Sequence, residues 1–350
     1  MTASPEREAP PAPRLRRSRA WACVKWAAGL GILVWLCLKN ADDLAKIAGA
    51  PKDWTYVFLG LAVIAASNLV MFGRWWLLVR AQQFPFGLRD AIRYGFVGLT
   101  TNFVVPGTVG GDLLKALLLV RDQASRRAAA AATVIVDRLV GLLGLFVIGA
   151  LASLALHDFP DSPAVRANTV VLWAGSAAGL AVVALLLVPR STAWVPARRL
   201  AGLPLVGPVL GDLIEGIYQY RSRPATVAAA LGLSLINNSG MILGLYYCAR
   251  AMQPPWIPGL AAHFYFRPTA ELFGALSMIP GGFGAREFAV REAYVVLNPG
   301  VVSDDAAAAA GLAAALAFRV VSLSVALSGL CLCLLLRREV VVPGARTFEN

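Results

Sequence analysis

Asn102-Phe-Val-Val-Pro-Gly-Thr-Val-Gly-Gly-Asp112 interrupts one apolar run, and Pro280-Gly-Gly-Phe-Gly-Ala-Arg-Glu287 interrupts another in the same manner. Both breaks read Pro-Gly-x-x-Gly with charge two or three residues later, and their prolines lie 174 positions apart. Proline and clustered glycine end a helix, so the surrounding regions 91–122 and 259–297 are not simple membrane spans. Flanking residues keep nearly the same offset. Asn68 and Met71 pair with Asn238 and Met241 at 170, and Arg138-Leu139-Val140 pairs with Arg319-Val320-Val321 at 181. An internal repeat of span, broken segment and span is read over 54–155 and 224–336.

Working outward, the whole chain has lipid-like composition. Of its 350 residues 58% are hydrophobic and 15% charged, with a mean hydropathy of +0.66. Soluble domains carry about 45–50% apolar and about 25% charged residues. A span needs about 20 mostly apolar residues, and clean runs occur at 20–38, 54–79, 129–155, 168–188, 224–249 and 305–336. The expected fold is therefore all-α, a polytopic membrane helix bundle of about six full spans and two re-entrant Pro/Gly-broken hairpins. Residues 1–19 read as a disordered cytoplasmic tail, 20–38 as an uncleaved N-terminal anchor, and 168–188 as a bridging span. Residues 189–223 read as a cytoplasmic basic loop and 337–350 as a cytoplasmic tail. The net charge of +12 lies in short segments between apolar runs, where it sets topology and meets anionic lipid rather than nucleic acid.

Arg14, Arg16, Arg17 and Arg19 place the N-terminus in the cytoplasm. Arg190, Arg198, Arg199, Arg221 and Arg223 return to that side only if each broken segment enters and leaves on one face. The two halves then have opposite orientation, an inverted-topology repeat whose ligand site lies between them near mid-bilayer. If each broken segment crossed fully as a kinked helix, those five arginines would lie outside. Trp54, Trp75 and Trp76 read as interface anchors.

Broken backbone at membrane depth requires a covered, polar interior. A half-helix is expected to begin near Asp112 and another near Arg286. Gly107 and Gly110, like Gly281 and Gly284, would let free N–H groups approach an anion. Local pairs at helical spacing are Asp112 with Lys115, Arg267 with Glu271 and Glu287 with Arg291. Asp137, Arg138, Arg286, Glu292 and Arg319 have no opposite charge three or four residues away. Arg138 lies about 14 Å into its span at 1.5 Å per residue, close to the midplane. Two readings of Arg138 and Arg319 stand together: bidentate grip on a phosphate, or cross-helix ion pairs such as Asp137 to Arg319 or Glu287 to Arg138. Asn68, Asn102, Asn237 and Asn238 either line the cavity or bond between helices. Five cysteines and two histidines show no metal spacing, and no nucleotide loop or catalytic motif occurs, so neither cofactor nor enzyme activity is expected.

The Asn102–Asp112 motif, the Asp137-Arg138 pair and the Pro280–Glu287 motif together resemble the lysylphosphatidylglycerol synthase membrane-region family. These are flippase-like membrane proteins; the resemblance covers about 54–336. It implies a membrane part that moves lipid between leaflets, with Asp112, Arg138, Pro280, Gly281, Gly284 and Glu287 at motif positions. Well-known members also carry a soluble aminoacyl-transferase domain, which the 14 residues after Leu336 are not expected to hold. The resulting expectation is a lipid translocase of the inner, cytoplasmic-type membrane working by alternating access on an anionic or zwitterionic lipid. In it Arg138 and Arg319 hold phosphate, while Asp112 and Glu287 read a cationic head group or carry a proton. The alternatives are a polyprenyl-phosphate carrier, a membrane-embedded partner of a lipid-modifying or sugar-transferring enzyme, and a scaffold.

Overall fold

The structure is a computed structural model that describes residues 15–104, 110–122, 126–155, 160, 162–187 and 216–335. Among these there are helices and no strand. In chain order they are α1 (Leu15–Lys39), α2 (Ala41–Gly49), α3 (Trp54–Ala81), α4 (Leu88–Val104), α5 (Gly110–Asp122), α6 (Arg127–Leu154) and α7 (Pro163–Leu187). After a short 3-10 turn (Gln219–Ser222) come α8 (Pro224–Met252), α9 (Leu260–Leu276), α10 (Ala285–Val296) and α11 (Asp304–Leu335).

Among the described residues five helices, α3, α6, α7, α8 and α11, are long and apolar enough to cross a membrane. The sixth expected span is less regular. Helix α1 stops at Lys39 and the chain turns by 79° into α2, so 20–38 belongs to a bent pair. Helix α2 presents Asp42, Asp43 and Lys46 on its polar side and buries Ile47 against Ala309 and Ala313 of α11. The chain is thus a multi-pass membrane protein.

Local chemistry sets the helix ends. The Asp53 side chain accepts a hydrogen bond from the Thr55 N–H at 2.9 Å, capping α3. Pro224 opens α8, where a missing N–H costs nothing, and Gln253 closes it in the left-handed region at φ 48°. Helices α4, α5, α9 and α10 have 17, 13, 17 and 12 residues, each short of the roughly 20 a span requires. The interruption between α4 and α5 falls at 105–109, so Pro106 and Gly107 lie outside the described residues. So do 188–215, which hold most of the expected basic loop.

The α3–α6 quartet has helices of 28, 17, 13 and 28 residues, and α8–α11 follow with 29, 17, 12 and 32. Helices α3 and α8 pack along each other, α4 packs on α11 as well as α5, and α9 packs on α6 as well as α10. Small residues permit these approaches. A Cβ on Gly244 of α8 would lie 2.4 Å from the Ile64 side chain of α3, and one on Gly98 of α4 would lie 2.8 Å from the Gly111 carbonyl of α5. The interlocked helices enclose a space between the two quartets.

One expectation about the periphery changes. Trp75 is not an interface anchor: it is buried with Val79, Phe86, Ala91 and Leu119, while Trp54 is exposed. Residues 216–222 are held against the bundle, where the buried Tyr220 hydroxyl donates to the Leu78 carbonyl at 2.9 Å.

Candidate functional site

The second Pro-Gly break shows how the sequence shapes this interior. Gly281, Gly282 and Gly284 all have positive φ (56°, 63° and 77°), backbone that a side chain rarely adopts. The Gly282 N–H donates to the Ile279 carbonyl at 3.0 Å and the Phe283 N–H to the Pro280 carbonyl at 3.1 Å. The Gly284 N–H donates to Glu287 Oε2 at 2.8 Å. Of the two glycines expected here to offer an amide to an anion, Gly284 therefore has its N–H taken up within the turn. The carbonyls of the turn face inward: Gly281 and Gly282 accept from the two terminal nitrogens of Arg319 at 3.2 and 3.5 Å. In the first half, Asn102 Oδ1 accepts from the Gly111 N–H at 2.8 Å and joins the end of α4 to the start of α5.

Each ionisable group that the sequence left without a local partner finds one. Asp112 pairs with Arg138 across α5 and α6 and stands 3.8 Å from Lys115. Glu287 pairs with Arg319 across α10 and α11. Each of these two ion pairs joins an acid just after a break to one of the arginines that the repeat had matched, Arg138 and Arg319. The cross-helix pairs offered as examples, Asp137 to Arg319 and Glu287 to Arg138, do not form. Asp137 instead accepts from Arg74 Nε at 2.8 Å, and Arg74 also donates to Ser234 Oγ on α8 at 3.1 Å. Gly141 makes room for it, since a Cβ there would lie 3.3 Å from the guanidinium. Arg267 pairs with Glu271 as expected, and Arg286 joins the same carboxylate at 2.9 Å. The expected Glu287–Arg291 pair gives way: Glu287 turns to Arg319, and Arg291 pairs with Glu292.

These residues surround a cavity of about 280 Å³ between the halves. From the first half its wall includes Arg74, Asp112, Lys115, Asp137 and Arg138, and from the second Arg267, Glu271, Arg286, Glu287 and Arg319. Asn68, Asn102, Asn237, Asn238 and Gly281 also line it. Gly110 opens α5 beside the wall and Gly284 turns away from it, against α1. Exposure separates the charges. The Arg138, Glu271 and Arg286 side chains are 46%, 28% and 20% exposed, whereas those of Arg74, Asp112, Asp137, Glu287 and Arg319 are 9% or less. Arg319 is fully committed, with each nitrogen engaged and its guanidinium 4.0 Å above the Phe283 ring. Arg138 and Arg286 are the cations that reach the open space.

Sequence reasoning missed Arg74 because its repeat position is Gly244, so no duplication drew attention to it. A lone arginine in an apolar span was the available signal. It also missed α1, read as a plain anchor. A Cβ on Gly284 would fall 2.6 Å from the Gly29 carbonyl, and Trp26 lies 5.4 Å from the Phe283 ring, so α1 covers the back of the second break. Among the described residues no group of acidic, histidine and cysteine side chains could hold a metal.

The chain matches the family described as lysylphosphatidylglycerol synthase TM region over residues 23–328. Comparison with curated proteins returns no match. The match begins within α1 and ends within α11, so it takes in both half-helix pairs and every charged residue of the cavity. The chain belongs to the lysylphosphatidylglycerol synthase TM region family, a membrane domain related to lipid modification or transport.

Proposed function

We propose that this protein is a flippase-like lipid translocase that carries an anionic or zwitterionic phospholipid, or a lipid-linked head group, between leaflets by alternating access. The observation that carries the reading is the charged cavity itself, walled by both halves and flanked by the matching pairs Asp112–Arg138 and Glu287–Arg319. Placing ten ionisable side chains around an interior cavity of a membrane bundle is costly, and such residues mark substrate paths more often than scaffolding.

The two quartets act as an inverted-topology repeat, with the α4–α5 hairpin opening to the cytoplasm and the α9–α10 hairpin to the outside. Both termini are cytoplasmic, in an inner, cytoplasmic-type membrane. Rocking one quartet against the other would expose the cavity to each side in turn. In this scheme Arg138 and Arg286 meet the phosphate, since planar guanidinium groups grip it bidentately. Asp112 positions Arg138 and Glu271 positions Arg286, and Glu271, partly exposed, is also the acid placed to meet a cationic part of a zwitterionic head group. Arg319 holds the Pro-Gly turn against α10 and α11 rather than the lipid. No nucleotide-hydrolysing motif occurs, so movement is downhill or coupled to an ion gradient. The test is leaflet exchange of fluorescent phospholipid in vesicles containing the purified chain. Exchange that depends on the protein supports the reading, and its absence for every lipid tested with folded protein overturns it.

A further inference from the structure

The α9–α10 hairpin walls a second cavity on its other face. It measures about 200 Å³ and lies between the hairpin and the N-terminal turns of α7. Side chains divide between the two cavities by helical spacing. On α9, Arg267, Glu271 and Ala275 line the charged cavity, while Phe266, Ala270 and Phe273 line the second. On α10, Arg286, Glu287 and Val290 line the first, whereas Ala289, Ala293 and Val296 line the second. The second wall runs from Phe266 to Phe273 and from Phe288 to Val296. That is about 10–12 Å along each helix at about 1.5 Å per residue, so the space is a slot parallel to the hairpin.

The polar side chains described in this wall are engaged with one another, with backbone or with a neighbouring charge. Thr269 Oγ1 donates to Asn168 Oδ1, and Asn168 Nδ2 donates to the Tyr265 carbonyl at 3.5 Å. The Tyr265 hydroxyl donates to the Val165 carbonyl at 2.6 Å, and Glu292 pairs with Arg291. Alanine, valine, leucine and phenylalanine make up the rest of the described wall. Water held in a cavity needs about two to four polar partners, so a slot of this lining favours hydrocarbon over water or a phosphate. The medium beside it supplies hydrocarbon. Phe273 of the wall is 47% exposed and Ala164 is exposed, so the slot opens sideways from the bundle. Its outer wall, α7, is one of the helices that can cross the membrane, and the opening therefore meets lipid tails.

We propose that this slot is a lipid-tail site that takes one acyl chain of a membrane phospholipid. Alanines at 270, 289 and 293 leave room for the chain, since a larger side chain at any of them would occupy the slot itself. The tail site rests on the second cavity alone and needs no transport. Within the translocase reading it gives the α9–α10 hairpin a head group on one face and a chain on the other.

The experiment is photo-crosslinking of the full chain in phosphatidylcholine vesicles that carry a small fraction of phosphatidylglycerol with a diazirine midway along one acyl chain. Labelled positions are mapped by peptide mass spectrometry. Label should concentrate on Val165, Phe273, Ala289 and Ala293 of the slot. It should exceed that on the exposed Val170 of α7 and Val320 of α11 at least about tenfold, the worth of two buried methylenes. Ala293→Phe fills the slot and should cut its labelling about tenfold while the label on Val170 and Val320 holds; an unchanged melting temperature verifies folding. Ala289→Leu makes the same test one turn away if Ala293→Phe melts lower. Label spread evenly over the slot, Val170 and Val320 would overturn the site and leave only boundary lipid. Slot label that survives filling in a folded variant would overturn it as well. Leaflet exchange of the same lipid separates this inference from the translocase reading. Slot label without exchange keeps the tail site and defeats the translocase, whereas exchange with evenly spread label does the reverse.

Discussion

Replacing Arg319 by alanine leaves Glu287, 1% exposed, with no cation in contact. Breaking a buried ion pair from one side costs about 3–5 kcal/mol, because the remaining charge is uncompensated. The same change removes the guanidinium from the Gly281 and Gly282 carbonyls and from the Phe283 ring, so the Pro-Gly turn also loosens. Arg138→Ala breaks the matched pair in the first half at a different cost. Its side chain is 46% exposed and Asp112 retains Lys115, so the loss should be clearly the smaller of the two. Thermal denaturation in mild detergent, followed by the monodisperse fraction on size exclusion, should show Arg319→Ala melting well below the parent and Arg138→Ala close to it. A double variant, Arg319→Met with Glu287→Gln, should recover most of the loss. It buries no charge, and the glutamine oxygen can still accept from the Gly284 N–H. Equal melting temperatures for the two alanine variants, or no recovery in the double variant, would refute this division between a structural and a functional arginine.

Gly284→Ala combines a positive φ of 77° with a Cβ 2.6 Å from the Gly29 carbonyl, so it should detach α1 from the second break. The expected cost is about 1–3 kcal/mol, read as a lowered melting temperature with faster proteolysis within α1. For topology, single cysteines placed at Arg198 and at Arg166 should label from opposite sides of the membrane, with Arg198 cytoplasmic. Labelling of Arg198 from the outside with Arg166 from the cytoplasm would overturn the re-entrant hairpins.

The elements readable from sequence were those written in local composition. Apolar runs announced α3, α6, α7, α8 and α11, and Pro280-Gly281 announced the broken second hairpin. The duplication even singled out Arg138 and Arg319, each of which pairs with the acid just after its own half's break, Asp112 or Glu287. Partner choice was less legible. Glu287 and Arg291 lie one turn apart on α10, but the rotation of that helix against α11 delivers Glu287 to Arg319. Rotation about a helix axis is set by packing with neighbours, which local spacing does not encode. The direction of the Pro-Gly backbone was hidden for a related reason. Glycine permits several turn geometries, and the one adopted aims carbonyls at Arg319 while using its own amides. Arg74 and the glycine contact of α1 belong to single positions that no repeat or spacing marked.

The central claim is tested most directly by leaflet exchange in vesicles reconstituted at about one protein each, comparing the parent with Arg138→Gln. Fluorescent phospholipid in the inner leaflet should become accessible to an impermeant quencher with the parent protein. Arg138→Gln should slow this by about tenfold or more while its melting temperature holds. Exchange at the same rate in parent and variant, or none above protein-free vesicles for any lipid, would contradict a translocase that grips its substrate through this cavity.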